Sequence, residues 1–138
     1  MVQIQVPSNV PYLQEDLTIE QLINWLAKYG QTNAGGVTRL LYSPSWLQAQ
    51  KALKEKMETM GFETYFDSVG NLFGRAIGTV HTEKVILTGS HIDTVIQGGK
   101  YDGAYGIAAS LLAVKRLIEH YGSPKYTIEV VSLCEEEG

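Results

Sequence analysis

The sequence lacks the features that mark secreted, membrane-spanning or nucleic-acid-binding proteins. Its one cysteine, Cys134, cannot form a disulfide within the chain, which fits a reducing compartment. No apolar run approaches the roughly 18 to 20 residues that a membrane span needs, and the opening residues lack the basic start and apolar segment of a secretory signal. The 15 acidic residues outnumber the 11 basic ones, and no basic stripe is present to neutralise a phosphate backbone. We therefore expect a cytoplasmic protein with neither a membrane nor a nucleic acid as its partner.

The length and composition fit one folded domain. The chain has 138 residues, of which 44% are hydrophobic and 19% are charged, and these values are normal for a soluble globular protein with its own core. It contains no internal repeat and no low-complexity linker.

Two helices are predicted in the first part of the chain, over residues 16–30 and 44–60. In both segments, apolar residues recur at helical spacing and form one face. The loop between them, residues 31–43, is rich in turn formers and is expected to pack against the body of the protein. The predicted N-terminal caps are Thr18 with Gln21 in the first helix and Ser43 with Pro44 in the second.

The remainder of the chain predicts a mixed sheet. The segments FETYFDS and NLFGRAIG, which Val69 and Gly70 separate, are typical of a β-hairpin. KVILTGS and TIEVVSLC are short apolar runs of the kind that is buried on both faces of a sheet, and the segment between them is strongly helical. Strand, helix and strand together predict a right-handed βαβ unit with a parallel strand pair. The predicted fold class is therefore α/β, a mixed sheet with a βαβ unit flanked by helices.

Acidic side chains and a histidine occur where the two predicted parallel strands end. His91 and Asp93 follow the first strand, Asp102 lies just before the helix, and the run Glu135–Glu137 follows the second strand. The carboxyl ends of parallel strands meet at one edge of the sheet, which is where ligands bind in open α/β folds. We therefore expect these side chains to lie close together.

A cluster of carboxylates in a partly dry cleft needs a cation. Without one, mutual repulsion and the loss of water would force some of the groups to take up protons. Neutral imidazole combined with carboxylate oxygens suits zinc, manganese or a similar ion. Asp93, two residues after His91, is placed to accept the spare ring N–H and so to fix the tautomer. The sequence therefore predicts a divalent-metal site.

Less specific interpretations of these residues remain open at this point. An isolated histidine after a strand is more often packed or at the surface than a ligand, and a glutamate run is usually solvated. The GGKYDG segment lacks the Ser or Thr of a phosphate-binding loop. Cys134 is expected to be a small apolar residue, because neighbouring acids raise the pKa of a thiol. His81 and His120 are expected in a surface turn and near a helix C-terminus.

Two motifs, GSHIDTVIQGGKYDGAYG and EVVSLCEEEG, closely resemble those of the M20 family of dinuclear metallohydrolases, and within it the amidohydrolase branch that cleaves ureido and carbamoyl groups. The separations of 11 residues from His91 to Asp102 and of 35 residues from Asp102 to Glu137 also agree with that branch. With GVTRLLYS and TYFDSVGNLFGR included, the resemblance covers nearly the whole chain from residue 17. It implies the fold of an M20-type catalytic domain.

The resemblance implies a role for each of five residues. His91 would bind one metal ion, Asp102 would bridge two ions, and Glu137 would bind the second. Glu136 would be the general base, and Asp93 would be the partner of the His91 ring. The cofactors implied are two divalent metal ions, Mn²⁺ or Zn²⁺.

These roles imply two features of the backbone. Strand alternation would place Glu136 on the opposite side from Glu137, whereas the family roles need both side chains at the metals. The chain is therefore expected to leave regular β geometry near Glu136. The family also implies a cis peptide bond between Asp102 and Gly103.

The resemblance implies a metal-dependent amidohydrolase that acts on a small ureido or carbamoyl substrate. The motifs are nearer to the members of the branch that hydrolyse allantoate than to those that hydrolyse N-carbamoyl-L-amino acids, which are the alternative. Hydrolysis of allantoate, a step of purine degradation, would give a ureidoglycine-type product, carbon dioxide and ammonia. A peptidase of the same family is a further alternative.

The resemblance also implies that residues 1–138 are the amino-terminal portion of a catalytic domain. Proteins of this family supply two more metal-binding histidines and a smaller lid and dimerisation domain from sequence beyond this motif, and neither His81 nor His120 matches a missing ligand. We therefore expect the 138 residues alone to be inactive and the complete enzyme to be a homodimer. The alternative from another functional class is an inactive remnant or an interaction module that associates through an open sheet edge.

Overall fold

The computed structural model describes residues 17–138. In chain order, its elements are α1 (Ile19–Ala27), α2 (Pro44–Thr59), β1 (Glu63–Phe66), β2 (Leu72–Ala76), β3 (His81–His91), α3 (Ala104–Tyr121) and β4 (Tyr126–Leu133). Residues 1–16 lie outside the described residues. Two predictions that fall on them therefore stay predictions: that no secretory signal is present and that the first helix begins at Asp16. Within residues 17–138, every helix is too short or too polar to cross a membrane.

The four strands form one mixed sheet in the order β1-β2-β4-β3. β1 and β2 form the predicted antiparallel hairpin, and β2 also pairs antiparallel with β4. β3 and β4 are parallel and are connected by α3, which confirms the βαβ unit and the α/β fold class. In this register His91 lies opposite Leu133, so both parallel strands end at the same edge of the sheet.

The predicted caps define where the first two helices begin. Thr18 accepts a hydrogen bond from the backbone N–H of Gln21, and the Gln21 side chain accepts one from the backbone N–H of Thr18, which makes a complete capping box. Ser43 accepts from the N–H of Trp46, with Pro44 at the first helical position. In both helices, the cap side chain therefore accepts a hydrogen bond from an N–H group that has no partner within the helix.

The hydrophobic core lies between the helices and the sheet. The apolar faces predicted for the helices point into it, and strands β2 and β4 contribute its other wall. Burial of each large aliphatic side chain stabilises the fold by about 1.5 to 3 kcal/mol. Four almost fully buried residues of this core are Leu53 on α2, Leu72 on β2, Leu111 on α3 and Val130 on β4.

Strand β3 is an exposed edge strand, so the prediction that its apolar run is buried on both faces is wrong. Val85, Ile86 and Leu87 are 43%, 54% and 58% exposed. Among the described strands, β3 pairs only with β4, and its outer edge has no neighbour. His81 also differs from expectation, because it is the first residue of β3 rather than part of a turn, and its ring stacks on Tyr126 with the centroids 4.9 Å apart.

Candidate metal centre

The position of His91 is set by the end of β3 and by the glycine that precedes α3. His91 is the last residue of β3 and is buried. Gly103 lies directly against it: a Cβ atom on Gly103 would be 2.3 Å from the His91 carbonyl oxygen and 2.7 Å from its ring. Gly103 also has a φ of 65°, a left-handed conformation that glycine adopts without strain.

The predicted cis peptide bond between Asp102 and Gly103 is wrong. All peptide bonds between the described residues are trans. The sharp turn that returns the chain towards His91 is made instead by the positive φ of Gly103, so it needs no cis bond.

The two nitrogens of the His91 ring face different partners. Nδ1 lies 3.1 Å from the backbone carbonyl oxygen of Asp93, to which it can donate its hydrogen, and 3.2 Å from Asp93 Oδ1. That oxygen is buried and makes no hydrogen bond of good geometry within residues 17–138. On the other side of the ring, Nε2 lies 3.6 Å from Asp102 Oδ1 and 3.6 Å from Glu136 Oε2. A hydrogen on Nδ1 therefore leaves the lone pair of Nε2 directed at the carboxylates, as a metal-binding histidine requires.

Asp93 also holds the backbone of the acidic loop that follows β4. Its Oδ2 accepts hydrogen bonds from the N–H groups of Glu136, at 3.0 Å, and Glu137, at 2.9 Å. Because β4 ends at Leu133, residues 134–137 are free of strand alternation, as predicted. The turn imposed by Asp93 is what allows the side chains of both Glu136 and Glu137 to lie near His91.

The turn of the β1–β2 hairpin fixes the start of the same loop. Asn71 Oδ1 accepts a hydrogen bond of 2.7 Å from the N–H of Cys134, and its Nδ2 donates one of 2.7 Å to Asp67. The other carboxylate oxygen of Asp67 accepts the backbone N–H groups of residues 69–71. The hydrogen bond from Asn71, supported by these N–H groups, lowers the pKa of Asp67. A hairpin remote in sequence thus positions the loop that carries the glutamates.

Cys134 is a packing residue, as expected. It is buried, and burial is the main cause of a raised pKa of its thiol, with the negative charge of Asp67 a smaller cause. A buried thiol with a raised pKa forms little of the reactive thiolate at neutral pH.

Three of the predicted residues lie together as a possible metal-binding cluster. His91, Asp102 and Glu137 each offer one ligand atom, and these atoms are all within 4.8 Å of one another. Ligand atoms around one bound ion are about 3 to 4 Å apart, so a small movement of the exposed Asp102 side chain would close the set. Glu135 is exposed and does not belong to this cluster.

The electrostatics of the cluster also favour a cation. The pKa of Glu137 is raised by loss of solvent, and further by the charge of Asp102, by a hydrogen bond to it and by the charge of Glu136. Glu137 therefore retains a proton more readily than an isolated glutamate does. A divalent ion would replace that proton and remove the repulsion, so the residues present fit such an ion.

Sequence reasoning missed Arg39, a buried arginine beside the cluster. It is only 1% exposed and donates hydrogen bonds to the carbonyl oxygens of Leu26, Tyr29 and Ile92. The one available signal is its place in the apolar stretch GVTRLL of the loop between the first two helices. His120, in the last turn of α3 as expected, and His81 both lie outside the cluster.

Comparison with known proteins identifies the relatives of this chain. The model of peptidase family M28 matches residues 71–138, which include β3, α3, β4 and the acidic loop. Allantoate amidohydrolases of Bacillus subtilis (strain 168) and Escherichia coli (strain K12) are 61% identical over 121 residues and 52% identical over 120 residues. The chain is similar in sequence to the allantoate amidohydrolases. The two alignments cover 88% and 87% of this chain but only 29% of each relative, so the chain spans less than a third of the length of these enzymes.

The similarity to the allantoate amidohydrolases agrees with the amidohydrolase branch that the motifs resemble, and the matching family model is that of peptidase family M28 rather than M20. N-carbamoyl-L-amino-acid amidohydrolases are more distant relatives, at 33% to 38% identity. The crystal structure of a hydantoinase/carbamoylase family amidase from Burkholderia ambifaria superposes with a TM-score of 0.82 at 32% identity, covering 87% of this chain and 29% of that one. These likenesses agree with the α/β fold described above.

Proposed function

We propose that this chain is the amino-terminal catalytic portion of a metal-dependent amidohydrolase that hydrolyses allantoate. The observation that carries the proposal is the convergence of His91, Asp102 and Glu137 with Glu136 beside them, in a chain 61% identical to an allantoate amidohydrolase. N-carbamoyl-L-amino acids are the alternative substrates, because amidohydrolases of that class are also related, at lower identity.

The proposed ligands are the three residues of the cluster. His91 would bind one ion, Glu137 would bind the second, and Asp102 would bind both. Two bound divalent ions, Mn²⁺ or Zn²⁺, would supply the polarisation of the substrate carbonyl and the lowered pKa of the attacking water.

Glu136 is the proposed proton carrier. Its Oε2 lies 3.6 Å from His91 Nε2, and its side chain is exposed on the open side of the cluster. Asp93 accepts a hydrogen bond from the backbone N–H of Glu136 and so fixes the position of this residue. The exposed carboxylate of Glu136 can still reach a water molecule and a substrate. It would take a proton as water attacks the ureido carbonyl carbon, and would return it to the nitrogen as the C–N bond breaks. Loss of ammonia would leave a carbamate on the other nitrogen, and cleavage of the remaining C–N bond of this carbamate would release carbon dioxide and a ureidoglycine-type compound.

The proposal includes the parts of the enzyme that these 138 residues do not supply. Two further metal-binding histidines and a smaller lid and dimerisation domain would come from the portion of the relatives that lies outside the alignments. The complete enzyme would be a cytoplasmic homodimer.

The test is Glu136→Gln in the longer enzyme. We expect this variant to retain its metal content and to lose ammonia release from allantoate by at least about 100-fold, because removal of a general base typically costs a factor of 10² to 10⁴. Metal analysis and an ammonia assay on the same preparation measure the two effects. His91→Ala should instead lose the metal.

Glu135→Gln is the matched control, since Glu135 is the exposed neighbour outside the cluster. It should retain both the metal and the turnover. Undiminished ammonia release by Glu136→Gln would refute the assignment of the base, and faster hydrolysis of N-carbamoyl-L-amino acids than of allantoate by the unmodified enzyme would refute the substrate.

A further inference from the structure

Arg39 is a buried cation that the proposed chemistry does not use. It is 1% exposed and is the largest of the fully buried side chains. No carboxylate within residues 17–138 forms a salt bridge with it. Burying a charged group without an ion-pair partner is costly unless hydrogen bonds compensate it, so its hydrogen-bond partners indicate what the burial achieves.

The guanidinium of Arg39 connects the end of α1 to the segment that carries His91. Its Nη1 donates to the carbonyl oxygens of Leu26 and Tyr29, both at 2.9 Å, at the C-terminal end of α1, where unpaired carbonyls and the helix dipole favour a cation. Its Nε donates to the carbonyl oxygen of Ile92 at 2.5 Å. Ile92 is the residue between His91 and Asp93.

The backbone of Arg39 is tied to the other side of Asp93. Its N–H donates to Thr94 Oγ1 at 2.8 Å, and its carbonyl accepts the N–H of Thr94 at 3.0 Å. The residues before and after Asp93 are therefore both attached to Arg39. Asp93 is in turn the residue on which the His91 ring and the N–H groups of the acidic loop converge.

The charge of Arg39 acts on Asp93 as well. Burial lowers the pKa of Arg39 to about 10, and the negative charge of Asp93 partly opposes this effect. Arg39 therefore remains protonated at neutral pH and keeps a positive charge near Asp93.

We propose that Arg39 is a positioning residue of the metal centre, which holds the backbone on both sides of Asp93 and so fixes the orientation and tautomer of the His91 ring. Its effect on metal binding rests on the proposed function, whereas its effect on the ring does not. If the role of Arg39 were purely structural, its substitution would lower the stability of the fold but would not change the orientation or the tautomer of the His91 ring in the folded protein.

The test compares Arg39→Met with the unmodified 138-residue chain by ¹⁵N NMR of the imidazole nitrogens, at an alkaline pH where imidazole is neutral. The unmodified chain should show His91 as one tautomer, with hydrogen on Nδ1. Arg39→Met should show a mixture of both tautomers. In titrations with Mn²⁺, the variant should bind about 10- to 100-fold more weakly, the range typical when an outer-shell partner is removed.

Thr127→Val is the matched control. Thr127 is fully buried and bonds to Gly78 and Thr82 near the opposite ends of β3 and β4, so its loss should lower stability without reaching His91. If Arg39→Met lowers the unfolding temperature but leaves the His91 tautomer and Mn²⁺ affinity as they are in Thr127→Val, the inference is wrong.

Two further results separate the possible failures. If Arg39→Met does not fold, Arg39→Lys decides, because it retains the charge but not the planar fork of donors: mixed tautomers support the inference and a single tautomer overturns it. If the unmodified chain binds no Mn²⁺, then His91, Asp102 and Glu137 do not hold an ion without the ligands assigned to other sequence, and the tautomer comparison alone decides the role of Arg39.

Discussion

Asp93, Asn71 and Asp67 each bind backbone N–H groups of the loops that shape the site. Hydrogen bonds from N–H groups to a carboxylate are stronger than those between neutral groups. They fix the path of the chain, whereas the clustered side chains of Asp102 and Glu136 remain exposed and able to move. At the scale of the residue, the site therefore combines a rigid backbone with adjustable ligands.

Asp67 should make the stability of the fold depend on pH in acid. Hydrogen bonding lowers its pKa below the ordinary value of 3.8, so it contributes stability above that value and loses it as the pH falls through the folded-state pKa. Asp67→Asn should therefore lower the free energy of unfolding more at about pH 7 than at a pH below the folded-state pKa, where the carboxyl is protonated. Urea unfolding at both pH values measures this difference. Glu83→Gln, on the exposed strand β3, is the control, and an equal loss by Asp67→Asn at both pH values would contradict the prediction.

The residues that meet at the cluster were predictable, because the ends of two parallel strands must share an edge. His91, Asp102 and Glu137 follow from that rule and from the motif spacing. Arg39 could not be predicted in the same way. Its partners are backbone carbonyls, which every sequence supplies, so the apolar stretch around it is the one feature of the sequence that suggests a buried side chain.

Helix α3 shows at the scale of the element how a turn and the site are coupled. It begins after Gly103 and ends before Gly122, and both glycines have positive φ, 65° and 82°. Gly122→Ala should lower the free energy of unfolding by about 1 to 3 kcal/mol, because its Cβ would contact no other group and would add only the strain of a backbone conformation that is nearly restricted to glycine. Gly103→Ala should lower the free energy of unfolding by more than Gly122→Ala does and should weaken metal binding, because its Cβ would displace His91. Urea unfolding and Mn²⁺ titration of both variants provide the comparison, and equal effects would show that His91 can move aside freely.

Helices and the hairpin were predictable from local signals, whereas the exposure of β3 was not. The caps at Thr18 and Ser43 and the turn at Val69 and Gly70 act within a few residues, and the structure contains all of them. β3 and β4 have similar apolar runs, yet of these two strands only β4 has a neighbour on both sides within residues 17–138. Strand order depends on pairing between distant segments, so composition cannot reveal which of two similar strands lies at the edge.

At the scale of the whole molecule, the edge of β3 should make the isolated chain self-associate. Its outer backbone groups, which pair with no other strand of residues 17–138, and its exposed apolar side chains are a template for another strand. Ile86→Lys should reduce concentration-dependent oligomers, because a charge on an edge strand opposes strand addition. Leu117→Lys is the matched control: Leu117 lies on α3 and is 49% exposed, against 54% for Ile86. Sedimentation of the three proteins measures the effect, and equal association of the two variants would exclude the β3 edge.

The same experiment separates the proposed enzyme from the alternative of an interaction module. If the 138 residues are part of an amidohydrolase, association through β3 is a consequence of an uncovered sheet edge. The chain alone should then hydrolyse allantoate negligibly and bind Mn²⁺ or Zn²⁺ weakly, because the proposal assigns further ligands to other sequence. Stable oligomers of one size that form without metal, and that do so equally after His91→Ala, would favour the module. Turnover by the isolated chain close to that of a full-length relative would instead refute the proposed division of the site, since His91, Asp102 and Glu137 would then be a sufficient set of ligands.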